Sequence, residues 1–201
     1  MPTLLVIESS PRSGSVSTSL TQKFAAEWQQ KNPGGKIVTR NVFNTPATFV
    51  TESWIGAAYT PVDARTPEQK AALKESDEYI AELVAADTIV IGAPMHNFAI
   101  SAPLKAWIDQ IVRAGVTFSV GPQGYKGLLD SSKKVIVASA RGGEYTGDLA
   151  FLDNQTPYLK TILGFLGLTD VHFAVANNQS RGPEAAEAGV KTATEAVLAL
   201  A

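Results

Sequence analysis

Hydroxyl side chains cluster in residues 8–19, directly before an apolar pattern of helical spacing. Ser10, Ser15 and Ser17 would lie beside the free N–H groups of that helix's first turn, and Ser17 is the expected N-cap. Serine hydroxyls and free N–H groups together can bind an anion without a lysine. The stretch therefore predicts a phosphate site, although plain helix capping by the same serines stays an alternative.

Two further stretches have the residue types of ligand-binding loops. The first follows a continuous apolar run, Ile89 to Ala93, and reads Pro94, Met95, His96, Asn97 and Phe98. Proline sets the direction in which the chain leaves a strand, so the four residues after it become candidates to contact a ligand. The second is residues 140–143, Ala-Arg-Gly-Gly, where paired glycines let backbone N–H groups approach a ligand closely. Either stretch alone could also be an ordinary turn.

The motifs that are absent exclude several kinds of chemistry. The serine-rich stretch matches neither the phosphate-binding loop of nucleoside triphosphatases nor the Gly-x-Gly-x-x-Gly dinucleotide fingerprint. The chain has no cysteine, which excludes disulfides, thiolate catalysis and iron–sulfur or zinc–thiolate sites. Its two histidines, His96 and His172, are too few for a histidine-rich metal site. We predict no metal, and no chemical role for His172.

Alternating apolar patterns predict the elements that position these stretches. The expected strands are residues 3–7, 36–43, 89–93, 134–139 and 171–176. The expected helices start near residue 17, then run over 66–86, 101–113, 152–166 and 183–200, with Ser101 as the cap of the third. Residues 44–66 should form a loop with a short helix, and residues 115–127 a glycine-rich loop that carries Phe118 and Tyr125.

Five strands that alternate with helices indicate a doubly wound, three-layer α/β fold with a parallel five-stranded sheet. If the strand order is 2-1-3-4-5, the first two ligand-type loops flank the topological switch point between strands 1 and 3. All three stretches then lie at the carboxyl ends of strands, the edge at which open sheets of this kind bind ligands. One ligand with a phosphate tail and a flat head could span them. Residues 1–201 suit a single domain of this type.

Composition limits the partners of the protein. A hydrophobic content of 45%, a charged content of 18% and a net charge of −2 are typical of a globular protein with no basic excess for nucleic acid. No signal-peptide pattern begins the chain, and no apolar stretch approaches membrane-spanning length. We therefore expect a cytoplasmic protein that binds neither nucleic acid nor membrane.

Five segments together resemble one family, the FMN-dependent NADH-azoreductases. They are Ser-Ser-Pro-Arg-Ser-Gly-Ser-Val-Ser near the start, Ala-Pro-Met-His-Asn-Phe-Ala-Ile-Ser-Ala-Pro-Leu-Lys in the middle, Arg-Ala-Gly-Val-Thr-Phe at 113–118, Ala-Arg-Gly-Gly at 140–143, and Thr-Pro-Tyr-Leu with Leu-Gly-Phe-Leu-Gly at 156–167. That family is flavodoxin-like in fold, also reduces quinones, and was once labelled acyl carrier protein phosphodiesterase. The similarity extends over nearly the whole chain.

The resemblance implies a role for each loop. The FMN phosphate would be held by Ser10, Ser15, Val16 and Ser17. The isoalloxazine ring would be lined by Pro94, Met95, His96, Asn97 and Phe98, and its pyrimidine edge would meet Ala140, Arg141, Gly142 and Gly143. The family commonly has tyrosine at the position of His96 and serine at that of Ala140, which alters ring stacking and one hydrogen bond. His96 could supply a proton or only pack against the ring.

The resemblance also implies ping-pong, two-electron hydride transfer from NADH or NADPH through the flavin to a quinone or an azo compound. It further implies a homodimer with the flavin near the interface, and the rings of Trp54, Phe118 and Tyr125 in predicted loops fit this. Phe118 would also contact substrate. The main alternative is a flavodoxin-type electron carrier. A phosphodiester hydrolase ranks third, because the chain has no cysteine nucleophile and no evident metal cluster.

Overall fold

Seven strands organise the chain, and the computed structural model describes all of residues 1–201. They are β1 (Thr3–Glu8), β2 (Lys36–Asn41), β3 (Thr88–Pro94), β4 (Phe118–Gly121), β5 (Gly124–Gly127), β6 (Lys134–Ala140) and β7 (Asp170–Ala176). Five of them form one parallel sheet in the order β2-β1-β3-β6-β7. The predicted order is confirmed, because β6 and β7 are the fourth and fifth strands of that sheet.

Six α-helices connect the strands and cover both faces of the sheet. They are α1 (Val16–Lys31), α2 (Glu52–Tyr59), α3 (Pro67–Ala85), α4 (Ala102–Ile111), α5 (Gln155–Phe165) and α6 (Pro183–Leu200). In the central strand β3, Ile89 and Ile91 pack into the core beneath α3, α4 and α5, whereas Val90 packs into the core beneath α1 and α6. A strand covered on both faces has no polar side, which is why its sequence is continuously apolar.

The segment 115–127 is not the loop that its glycines indicated. Strands β4 and β5 pair as an antiparallel hairpin, so the prediction of a loop is wrong. Its rings pack on a distant helix: the centroids of Phe118 and Tyr125 lie 4.6 Å and 5.4 Å from the ring of Phe165 in α5. A side chain at Gly127 would meet the backbone of Gly167 at 2.2 Å, so the hairpin docks closely there. The residues that stabilise the hairpin are distant in sequence, so no local pattern of apolar and polar residues predicts these contacts.

One predicted helix cap, Ser17, is wrong, and the other, Ser101, is the N-cap by position only. Ser15, not Ser17, is the N-cap of α1, and its Oγ accepts a hydrogen bond from the N–H of Thr18 at 3.3 Å. Ser101 precedes α4 but makes no capping hydrogen bond; its buried hydroxyl donates instead to the carbonyl of Ser9 at 3.1 Å. That bond ties the start of α4 to the loop after β1. The hydroxyl therefore donates to a distant carbonyl and does not accept from an N–H of its own helix.

The remaining boundaries shift by a few residues. Strand β2 ends at Asn41, whose side-chain oxygen accepts hydrogen bonds from the N–H groups of Phe43 and Asn44 and so starts a turn. Helix α4 ends at Ile111, two residues before its predicted end. Helix α5 begins at Gln155, because a 3₁₀ helix over Gly147–Leu152 precedes it.

The insert 44–66 does contain the expected short helix, α2, followed by a 3₁₀ turn over Val62–Ala64. Trp54 of α2 is buried within its own chain, and its indole N–H donates to Oε1 of Gln110 at 2.7 Å. Trp54 therefore gives no support to a homodimer. None of the six helices combines the length and apolarity that a membrane crossing requires.

Candidate cofactor-binding site

A cleft of about 470 Å³ opens at the carboxyl edge of the sheet. It is lined by residues from all three predicted loops, namely Ser10, Ser15, Val16, Pro94, Met95, His96, Asn97, Phe98, Ala140, Arg141 and Gly142, and by Arg12, Tyr145, Gln179 and Ser180. Its volume falls within the range of sites for small ligands and cofactors. The fold thus brings three segments that are far apart in sequence around one space.

One end of the cleft has hydrogen-bond donors that suit an anion. The N–H groups of Val16 and Ser17 open α1 and find no backbone acceptor in the chain, as expected in the first turn of a helix. The Ser15 hydroxyl lines the cleft beside them. Ser17 is fully buried and does not line it; its Oγ lies 3.0 Å from that of Ser15. The hydroxyl of Ser17 therefore does not face the cleft.

Arg12 adds a positive charge at the same end of the cleft. Its backbone N–H donates to the Oγ of Ser10 at 3.3 Å, and its exposed guanidinium forms no salt bridge within the chain. An unpaired guanidinium beside hydroxyls and free N–H groups suits a phosphate, which accepts several charge-assisted hydrogen bonds. Arg12 lies within the serine-rich stretch, and its charge was the signal that could have identified it.

The residues after β3 form a type I′ turn. The N–H of His96 donates to the carbonyl of Ala99 at 2.9 Å, and the N–H of Ala99 donates back at 3.0 Å. Between them, Asn97 and Phe98 both have positive φ, 47° and 68°. This conformation is uncommon for a bulky residue such as Phe98 and is found preferentially at functional sites. The N–H groups of Asn97 and Phe98 find no backbone acceptor and remain available to a ligand.

Side chains at this second end of the cleft are flat or aromatic. The rings of Phe98 and Tyr145 meet edge to face, with centroids 5.6 Å apart and planes at 84°. His96 is exposed and lines the same wall. Tyr145 follows the glycine pair in sequence, and an aromatic residue after a ligand-type loop was the signal that could have identified it. This end of the cleft can accept a planar ring.

The loop after β6 presents its backbone, because the side chain of Arg141 points away from the cleft. The guanidinium is buried and donates to Oε1 of Gln155 at 3.2 Å, to Oδ2 of Asp153 at 2.9 Å and to the hydroxyl of Thr156. At Gly142, an added Cβ would lie 3.0 Å from the Oγ of Ser180, so a side chain there would crowd the wall of the cleft.

Asp153 balances the buried charge of Arg141. Burial alone would raise the pKa of the Asp153 carboxyl, but hydrogen bonds from Thr156 and Gln155 and the nearby guanidinium outweigh it. The pKa therefore lies below its usual range, and the ion pair stays formed at neutral pH.

Three of the predicted site residues lie off the lining of the cleft: Ser17, Gly143 and Phe118. Phe118 belongs to the β4–β5 hairpin and packs against Phe165 of α5. Gln179 and Ser180 were missed, although they follow β7 at the same edge of the sheet, where the position of the other loops could have indicated them. The structure contains no group of three or more histidine, aspartate or glutamate side chains that could hold a metal ion.

The donor set of the cleft fits FMN. A phosphate matches the end formed by Arg12, Ser15 and the start of α1, where hydrogen-bond donors and positive charge concentrate. A planar ring with carbonyl and nitrogen acceptors matches the other end, where the free N–H groups of Asn97 and Phe98 stand beside aromatic side chains. Both ends belong to one continuous cleft.

Comparisons with known proteins show the family to which the chain belongs. Residues 2–201 match the family model described as "Flavodoxin-like fold". The FMN-dependent NADH:quinone oxidoreductase of Paraburkholderia phymatum is 48% identical over 200 residues, which cover 99% of this chain and 100% of that protein. The FMN-dependent NADH:quinone oxidoreductase 6 of Burkholderia lata is 50% identical over 200 residues, with the same coverage.

Solved structures give the same result. An FMN-dependent NADH-azoreductase from Bacillus anthracis in complex with FMN superposes with a TM-score of 0.87, at 26% identity, over 100% of both chains. Another azoreductase from that organism superposes with a TM-score of 0.90, at 27% identity, over 99% of this chain and 98% of the other.

Proposed function

The chain belongs to the flavodoxin-like fold family, and on that premise we propose that it is an FMN-dependent oxidoreductase that transfers two electrons from NADH to quinones and azo compounds. NADPH is the other electron donor to test. One observation carries the proposal: a single cleft joins an anion site at a helix N-terminus to a ring site with free N–H donors. Relatives with 48% and 50% identity over their whole length are named for this activity.

The residues of the chain would bind and orient the cofactor. Arg12, Ser10, Ser15 and the first N–H groups of α1 would hold the phosphate. Pro94 to Phe98 would line the ring, and Ala140 to Gly143 would meet its edge mainly through the backbone, because the Arg141 side chain is engaged elsewhere. When bound, FMN would supply the two-electron hydride chemistry between donor and acceptor.

The protein's electrostatic contribution would come from fixed donors. The N–H groups of Asn97 and Phe98 are held in a hydrogen-bonded turn and need no rearrangement to stabilise negative charge at the ring. This arrangement requires no side chain to act as a general acid. His96, exposed in the same wall, could hold a proton there or serve only to shape the cleft.

The alternative function, that of a flavodoxin-type electron carrier, is the one to exclude by experiment. Such carriers dock through a strongly acidic face, whereas this chain has a net charge of only −2. The relatives are also named as oxidoreductases that use NADH. A phosphodiester hydrolase has less support, because no metal-binding group of side chains is present.

We further propose a homodimer. Large apolar side chains remain exposed on one chain, among them Phe49 at 78%, Tyr59 at 74% and Phe151 at 74%. Exposed apolar side chains of this size, when they form one patch, mark association surfaces. Residues 1–201 would act as one FMN-binding domain in each subunit, with Phe118 contacting substrate only if assembly brings it to a cleft. Dependence on NADH supports a cytoplasmic location.

Flavin content and NADH oxidation test the proposed function. The purified protein should show the absorbance of bound FMN and should oxidise NADH in the presence of a quinone under anaerobic conditions. Ping-pong kinetics should appear as parallel lines in double-reciprocal plots at several quinone concentrations. A protein that binds FMN but turns over only with a separate one-electron reductase would be a carrier, and one that binds no flavin would contradict both functions.

A further inference from the structure

One buried side chain connects the two loops that form the ring end of the cleft. Gln155, the first residue of α5, is 1% exposed. Its Nε2 donates to the carbonyl of Ala93 at 3.0 Å, directly before the 94–98 loop. Its Oε1 accepts from the Oγ of Ser139 at 2.6 Å and from Nε of Arg141 at 3.2 Å, at the start of the 140–143 loop.

The two residues before Gln155 contact the same loops. The backbone N–H of Asn154 donates to the carbonyl of Phe98 at 3.0 Å, within the type I′ turn. The carboxylate of Asp153 accepts from Arg141 at 2.9 Å and also receives the N–H of Gln155 at 3.0 Å. Asp153 therefore holds the 140–143 loop, Asn154 holds the 94–98 turn, and Gln155 contacts both.

We propose that Gln155 is a positioning residue that fixes the 94–98 turn and the 140–143 loop relative to each other and so sets the affinity of the cleft for the FMN ring. It does not line the cleft and can act only through the loops. The inference rests on the proposed function, since it takes FMN as the ligand.

The energetics of buried polar groups support this role. Replacing Gln155 by methionine keeps the length of the side chain but removes the donor to Ala93 and the acceptor for Ser139 and Arg141. Buried groups that lose their partners are costly, and the backbone relaxes to find new ones. Here that backbone carries the N–H groups of Asn97 and Phe98, which have no backbone acceptor, so relaxation would move the donors assigned to the ring in the proposed function.

The chain offers a matched control in Gln110. It too is a fully buried amide, whose Oε1 accepts from Trp54 at 2.7 Å and whose Nε2 donates to the carbonyl of Thr48 at 2.7 Å. Its bonds join α4 to the insert 44–66, and it does not line the cleft. Gln110→Met therefore removes an equivalent buried amide without releasing either ring-binding loop.

The test compares FMN binding and flavin spectra of the wild type, Gln155→Met and Gln110→Met. For Gln155→Met we expect an FMN dissociation constant about tenfold higher, equivalent to about 1.4 kcal/mol, together with a shifted flavin absorption band. Gln110→Met should keep the wild-type spectrum and a dissociation constant within about twofold. An unchanged constant and spectrum in Gln155→Met, or equal losses in both variants, would overturn the inference.

A second variant covers the case in which Gln155→Met does not fold. Gln155→Glu keeps an acceptor for Ser139 and Arg141, but replaces the donor to Ala93 with a carboxylate oxygen that repels its carbonyl. Its FMN dissociation constant should also rise, and a wild-type value would contradict the proposal. A wild-type protein that binds no FMN would instead refute the proposed function, so the two failures are distinguishable.

Discussion

The Oγ atoms of Ser15 and Ser17 lie 3.0 Å apart, yet only Ser15 lines the cleft. Ser15→Ala should therefore weaken FMN binding more than Ser17→Ala does. A hydrogen bond to a charged group contributes about 1.5–3 kcal/mol, and the lost N-cap costs a further 0.5–2 kcal/mol, roughly, of stability. Titration of each variant with FMN measures the difference. Equal losses would mean that the buried Ser17 hydroxyl also contacts the phosphate.

The type I′ turn predicts a difference between two substitutions of Asn97. Its φ of 47° is accessible to glycine at no steric cost but is strained for a β-branched residue, by about 1–3 kcal/mol. We expect Asn97→Val to bind FMN several-fold more weakly than Asn97→Gly, because valine distorts the turn that presents the N–H groups. If the asparagine side chain itself is the ligand, both variants should lose affinity equally, and isothermal titration separates these outcomes.

Replacement of His96 by tyrosine tests whether this residue affects the chemistry. His96 is exposed in the wall of the cleft that can accept a planar ring, and tyrosine would present a wider side chain there. We expect His96→Tyr still to bind FMN but to reduce quinones several-fold more slowly, because the wider ring leaves less room for substrate beside the flavin. Steady-state kinetics with a quinone compare the two proteins. Equal rates would show that the side chain at this position does not affect the chemistry.

The Asp153–Arg141 ion pair predicts that the stability of the protein falls at low pH. The pKa of Asp153 is lower in the folded protein than in the unfolded chain, where it is about 3.9. The contribution of Asp153 to the free energy of unfolding is therefore complete above its pKa in the unfolded chain. It is lost as the pH falls through its pKa in the folded protein. Urea unfolding should show the wild type more stable than Asp153→Asn at pH 6, with the gap narrowing below about pH 4. A gap that is constant with pH would contradict this assignment.

The homodimer predicts a particle of twice the chain mass of 21.3 kDa. Light scattering coupled to size-exclusion chromatography at micromolar concentration measures this directly. Dilution should leave the mass unchanged if the association is stable. A mass that stays near that of one chain would rule out the dimer and leave Phe49, Tyr59 and Phe151 as exposed side chains of a monomer.

The positions of the strands and the place of the cleft could be predicted because they depend on local patterns. Ile89 to Ala93 had to be apolar throughout to lie between two covered faces, and parallel strands bring their carboxyl ends to one edge. Residue types and spacing alone therefore predicted the three loops, namely the serine-rich stretch, the 94–98 turn and the Ala-Arg-Gly-Gly loop. The family resemblance was confirmed by the comparisons with known proteins.

The sequence by itself therefore determined the fold, the family and which loops border the cleft; only the tertiary structure decided which way individual side chains point. The Arg141 guanidinium turns inward because a carboxylate 12 residues later and the amide of Gln155 accept its hydrogen bonds. Phe118 packs on Phe165 because the hairpin docks there, and the Ser101 hydroxyl bonds to the carbonyl of Ser9, not to an N–H of its own helix. Each outcome depends on a partner distant in the chain, and periodicity and capping patterns record only near neighbours.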